Sequence, residues 1–81
     1  MLFTLSLPPG PAVFVEAPNH AGARVLDELE RAVTSAGGGT ESARQVPQRL
    51  CLYGDKAALA ERCETWFRAR GHEVVREEWM R

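Results

Sequence analysis

The chain has 81 residues, 44% of them hydrophobic and 26% charged, with ten basic and eleven acidic side chains giving a net charge of −1. That length allows one domain, and charges of both signs interleave along it, which argues against a dedicated nucleic-acid binder built on concentrated Lys and Arg. No apolar run approaches the roughly 20 residues of a bilayer-spanning helix, and the apolar N-terminus lacks a basic leader region and stops at Pro8-Pro9, so the expected location is the cytoplasm.

Leu2 to Leu7 alternate at period two, with Phe3, Leu5 and Leu7 on one face and Thr4 and Ser6 on the other. The pattern is that of a half-buried strand. Pro8-Pro9-Gly10-Pro11 breaks it. Ala12 to Ala17 form a second strand, with Val13 and Val15 on one face and Phe14 on the other. The break closes a hairpin or leaves an open loop, and the residues do not choose between them.

Asn19 has the side chain of an N-cap, and His20 to Ala36 carry a helical stripe of Val25, Leu26, Leu29, Ala32, Val33 and Ala36. Arg24–Glu28 and Asp27–Arg31 stand at i,i+4, the spacing of helical ion pairs. Gly37 suits the left-handed position that ends a helix. Thr40 to Gln48 are polar, and residues 37–48 are expected to form a flexible connection. Arg49 to Tyr53 make a third strand, with the nearly unbroken apolar core Leu50-Cys51-Leu52-Tyr53 expected of a central strand.

Asp55 caps a second helix, Lys56 to Arg70, whose buried stripe is Leu59, Ala60, Cys63, Trp66 and Phe67, with Glu64–Arg68 as a further i,i+4 pair. Gly71 ends it. His72 to Met80 form the last strand, with Val75, Glu77 and Trp79 alternating against Val74, Arg76, Glu78 and Met80. The expected order is β-β-α-β-α-β, a single-domain two-layer α/β sandwich with two helices on one face of a mixed four-stranded sheet.

The chemistry-bearing residues are few. Cys63 lies on an apolar helical stripe and is expected to pack as a small hydrophobe. Cys51 sits within a strand whose two faces differ in burial, and it is the one candidate thiol nucleophile, although no helix N-terminus lowers its pKa. His20 is placed in the first turn of the first helix and His72 just beyond the second, exposed. Two histidines without an acid pair do not make a zinc site, and Gly37-Gly38-Gly39 follows a helix instead of opening one, so it is no phosphate cradle. No metal and no cofactor are expected. Trp79, Arg76, Glu78 and Phe14 are the candidate partner-binding residues: a terminal aromatic and a charged edge suit a protein contact. Glu73, Glu77 and Glu78 form an acidic patch with Arg76 and Arg81, read as a solvated strand edge or as an edge that docks a partner.

Leu50-Cys51-Leu52-Tyr53, then Asp55, Ala58, Trp66 and Gly71-His72-Glu73-Val74, resemble the C-terminal portion of the TusA/SirA-like sulfur-carrier fold. The resemblance implies two helices on one side of a mixed four-stranded sheet. Its functional motif, Cys-Pro-x-Pro at the start of the first helix, corresponds here to Ala17-Pro18-Asn19-His20. Alanine thus stands where the family has its nucleophile, so sulfur transfer by this chain would have to use Cys51. The same stretch is also similar to small signal-transducing domains of bacteria. The expected function is a small non-enzymatic module acting by protein contact, with a protein partner or a second copy of itself and neither nucleic acid nor membrane. The alternatives are a TusA-like sulfur carrier using Cys51 and an inhibitor encoded by a phage or mobile element. Apolar residues on both faces of some strands, Phe14 with Val15 and Cys51 with Leu52, favour the contact module: helices on one side leave apolar surface on the other. Small size points the same way, because a domain of this length buries only about 60–65% of its unfolded surface and gains stability from association.

Overall fold

The computed structural model describes residues 1–35 and 39–78. Seven elements follow in the order β1 (Leu2–Leu7), β2 (Ala12–Glu16), α1 (Ala21–Ser35), β3 (Glu41–Val46), β4 (Arg49–Tyr53), α2 (Lys56–Ala69) and β5 (Glu73–Glu78). The sheet has five strands in the order β3-β4-β2-β1-β5. β1 and β5 run parallel, and the other neighbours are antiparallel. The architecture is therefore β-β-α-β-β-α-β, which corrects the four-stranded expectation by one strand.

That strand is β3, within the stretch expected to be a connection. It lacks an apolar face because its inward residues are polar: Ser42 donates to a Glu30 carboxylate oxygen at 2.7 Å, and the Arg44 guanidinium reaches Asp27 and, at 3.0 Å, Glu30. An edge strand can be fastened to a helix in this way without apolar alternation. An extra residue between Ala43 and Val46 disrupts its register with β4, a bulge of the kind that discourages pairing with another chain at a sheet edge.

β1 and β2 do close a hairpin, with Leu5 opposite Val15 and Ser6 opposite Phe14. The three-proline turn is held from outside by Lys56, whose Nζ donates to the Gly10 carbonyl at 2.8 Å. Elements β2-α1-β3 and β4-α2-β5 are two crossovers. Each returns parallel to its first strand with other strands between, the split β-α-β arrangement. β1 is inserted between β2 and β5.

Both helices pack on one face. α1 lies over β3 and β4, and α2 over β2, β1 and β5. Phe3, Leu5, Val13, Val15, Leu50 and Leu52 of the sheet meet Leu26, Leu29 and Val33 of α1 and Leu59, Ala60, Cys63 and Phe67 of α2, all essentially inaccessible to solvent. Phe3 and Phe67 stack at 4.3 Å between ring centroids. Ala32, expected on the buried stripe of α1, is exposed. Gly22 is buried there instead, where α1 begins close against Ala17 and Met1. Trp66 is half-buried at the margin of the core, with the Arg70 guanidinium 4.0 Å from its ring centre.

Helix ends follow the sequence closely. Asn19 Oδ1 accepts from the Gly22 amide at 3.3 Å, and Asp55 Oδ1 accepts from the Ala58 amide at 3.3 Å. At the end of α2, Gly71 adopts φ +80°. The His72 amide donates to the Phe67 carbonyl and the Gly71 amide to the Arg68 carbonyl, each at 3.0 Å, the paired bonds of a left-handed helix stop. The proposed stop at Gly37 lies outside the described residues. The intrahelical ion pairs do not form among the described residues. Asp27 and Glu64 reach across to the strand residues Arg44 and Arg76, where each links two elements.

Candidate functional site

Alternation along five strands sorts the side chains cleanly. Those on the helix side of β1, β2 and β4 fill the core. Those on the other side form a face that neither helix covers: Leu2, Thr4 and Ser6 from β1; Ala12, Phe14 and Glu16 from β2; Glu41, Ala43 and, past the bulge, Val46 from β3; Arg49, Cys51 and Tyr53 from β4; Glu73, Val75 and Glu77 from β5. Register aligns them into rows across the sheet. Glu77, Ser6, Phe14, Cys51 and Ala43 form one row, and Val75, Thr4, Glu16, Arg49 and Val46 form the next.

The centre of this face is apolar or neutral. Phe14 and Cys51 are half-buried by their neighbours, and Ser6 is only 9% exposed although no helix lies above it. Larger apolar groups surround them: Leu2 is 45% exposed, Tyr53 40% and Val75 44%. Scattered single hydrophobes are ordinary on a protein surface, but here Phe14, Cys51 and Tyr53 adjoin on β2 and β4, and Leu2 and Val75 adjoin on β1 and β5 with only Thr4 and Ser6 between the two groups, all on a face that neither helix covers. Charge lies around it. Glu73 and Glu77 line the β5 edge, Glu41 stands at the β3 edge, and Glu16 accepts from Arg49 at 3.2 Å.

The sequence-derived candidates divide between the two sides. Phe14 is at the middle of the open face and Cys51 is its direct cross-strand partner. Arg76 and Glu78 are on the opposite side of β5. There Arg76 donates to both carboxylate oxygens of Glu64, at 2.9 and 3.1 Å, and to Glu78 at 3.5 Å. The bonds to Glu64 in particular hold its guanidinium above its ordinary pKa. These two residues tie β5 to α2 and do not share a surface with Phe14. Trp79 lies outside the described residues. Leu2, Tyr53, Val75 and the acidic Glu41 of the open face were not among the candidates, whereas Glu73 and Glu77 belong to the acidic run with Glu78 that the sequence marks as a charged strand edge suited to docking a partner. Their signal was present in the alternation of β1, β4 and β5, but assigning them to one surface requires the strand order.

The remaining chemistry-bearing groups are dispersed. Burial pushes the Cys63 thiol up from its ordinary 9.0 to about 12, with smaller opposing effects of Arg62, which lowers it, and Glu64, which raises it. Cys63 is therefore a protonated core residue at neutral pH. His20 precedes α1 instead of lying in its first turn, is exposed, and accepts from the Ala23 amide through its carbonyl at 3.1 Å. His72 is half-buried, not exposed. Its ring presents edges to Phe3 at 5.3 Å and Phe67 at 6.2 Å between centroids. Among the described residues, no three His, Cys, Asp or Glu side chains are grouped so as to hold a metal ion. Nor is any helix among them long and apolar enough to cross a membrane.

No protein-family model, curated protein or solved structure matches the chain.

Proposed function

We propose that this protein is a small binding module that acts through the open face of its sheet, with another polypeptide as its partner. The observation that carries this reading is the apolar centre of that face, Phe14 and Cys51 with Leu2, Tyr53 and Val75 around them, on the one side of the sheet that no helix covers. Covering such a surface removes apolar area from water, which contributes about 25 cal/mol per Å² before the costs of association. Chemical groups elsewhere support the same reading. The one deeply buried thiol is held protonated, and the guanidinium groups of Arg44 and Arg76, on the two edge strands, are engaged in fastening those strands to helices.

Site-specific photo-crosslinking tests it. A photoreactive amino acid is placed in turn at Phe14, Ala43 and Val75 on the sheet, and at Glu28 and Glu61 on the helices. One polypeptide should be captured from all three sheet positions and from neither helix position. Phe14→Ser, with an unchanged circular dichroism spectrum, should lose the complex. Capture from the helix positions alone, or a complex that survives Phe14→Ser unweakened, would overturn the reading.

A further inference from the structure

The charges around the open face point to the chemistry of the partner. Among the described residues, four carboxylates, Glu16, Glu41, Glu73 and Glu77, share that face with one guanidinium, Arg49, which is engaged by Glu16. Counted over those residues, the face carries three net negative charges, while the described residues away from it are net positive by one. This asymmetry is invisible in the overall composition. It arises because strand alternation sends Glu73 and Glu77 to the open side while Arg76, between them, turns to the helix side and is engaged there.

We infer that the occupant of the open face is a basic polypeptide segment, with apolar side chains seated over Phe14 and Cys51 and Lys or Arg side chains reaching Glu73 and Glu77. This deepens the proposed function and rests on it. Three features favour that occupant over a second copy of this chain. Two identical faces would oppose three net negative charges with three more, and like-charge juxtaposition costs association. The face is also small: five strands spaced about 4.8 Å apart, each of five or six residues, span roughly 20 Å on a side. That suits a single strand or helix better than the roughly 800 Å² per partner of a standard protein–protein interface. Finally, Glu73 and Glu77 are separated by four residues of one strand, about 13 Å, so basic side chains four positions apart on an apposed extended segment would meet both. Because the carboxylates lie at the rim, they contribute more to steering and selectivity than to total affinity.

The test uses three synthetic peptides of equal length and the isotopically labelled full chain. One alternates valine or leucine with lysine, the second has glutamate for every lysine, and the third keeps the lysines but has serine for every apolar residue. Binding is followed by amide chemical-shift changes. The lysine–apolar peptide should perturb β1, β2, β4 and β5 through their open-face residues, and its affinity should fall severalfold as salt rises from low to moderate concentration. The paired variant Glu73→Gln/Glu77→Gln should weaken it about three- to tenfold, whereas Glu28→Gln on the far side of α1 should leave it unchanged. Equal binding of the glutamate peptide to the same face would overturn the basic partner while leaving the docking face standing. Binding of the lysine–serine peptide as tightly as the lysine–apolar one would remove the apolar anchor and both readings with it. Sedimentation showing the free chain to be a dimer sealed through Phe14 would replace the basic segment by a second copy.

Discussion

A methyl group added at Gly22 would sit 2.5 Å from the Ala17 Cβ and 3.0 Å from the Met1 sulfur. The methionine can swing away, but Ala17 cannot: its Cβ is fixed by the backbone just after β2. Gly22 therefore lets α1 start directly against the sheet. The usual gain from replacing a helical glycine by alanine, about 1 kcal/mol at most, is set against overpacking of about 1–3 kcal/mol. Overpacking should win, and Gly22→Ala is expected to lower unfolding free energy by about 1–2 kcal/mol in urea denaturation. The companion change Ala17→Gly should recover part of that loss in the double variant, because it removes the atom in the way. A stabilising Gly22→Ala would show that α1 has room to shift. The same scale explains an error of sequence reading. Ala32 and Gly22 are both small residues of one helix, and periodicity assigns the alanine inward. Which small residue is buried depends on how closely the helix start approaches the strand before it, which no spacing within the helix encodes.

At the scale of elements, β3 is the informative case. Its inward side chains, Ser42 and Arg44, bind the carboxylates of α1, and the Arg44 side chain is 18% exposed. Removing the guanidinium leaves Asp27 without its partner and Glu30 with Ser42 alone, so Arg44→Met should cost about 1–2 kcal/mol. The loss should be local as well. Amide hydrogen exchange in β3 should accelerate while β1 and β2, in the middle of the sheet, keep their protection; uniform acceleration across the sheet would show that β3 is not separately fastened. Strands whose one face is apolar, β1, β2 and β4, are legible because burial imposes period two on them. β3 has no such face, and what specifies it is a partner set on a helix 12 to 17 residues away in sequence. The capped ends of α2 are equally legible, since Asp55 and Gly71 act through bonds to residues three to five positions away. Surplus apolar character at Phe14 and Cys51 is visible too, as is the acidic run of Glu73, Glu77 and Glu78. What the sequence does not show is that Glu73 and Glu77 share one surface with Glu41, Phe14 and Cys51, because that depends on the strand order.

For the molecule as a whole, pH dependence should expose the buried thiol. Cys63 is fully inaccessible at the centre of the core, and burial raises its pKa from 9.0 to about 12. In the unfolded chain the thiol loses its proton near pH 9, while in the folded protein it retains it. Between those values the native state binds one more proton than the unfolded state, so stability must fall as pH rises. The contribution of this group is fully present below pH 9 and is withdrawn at up to about 1.4 kcal/mol per pH unit above it. Small domains have little margin, so the alkaline limb should be readily measured by urea denaturation from pH 8 to 11. Lysine and tyrosine side chains ordinarily titrate in the same range, and a comparison lacking Cys63 separates its contribution from theirs. Cys63→Ala should lower stability at pH 7 through the space it leaves, yet flatten the alkaline limb, so that the two proteins converge as pH rises. Parallel curves for Cys63→Ala and the parent chain would mean that Cys63 can ionise without unfolding the domain, and that the core over α2 opens far more readily than its packing implies.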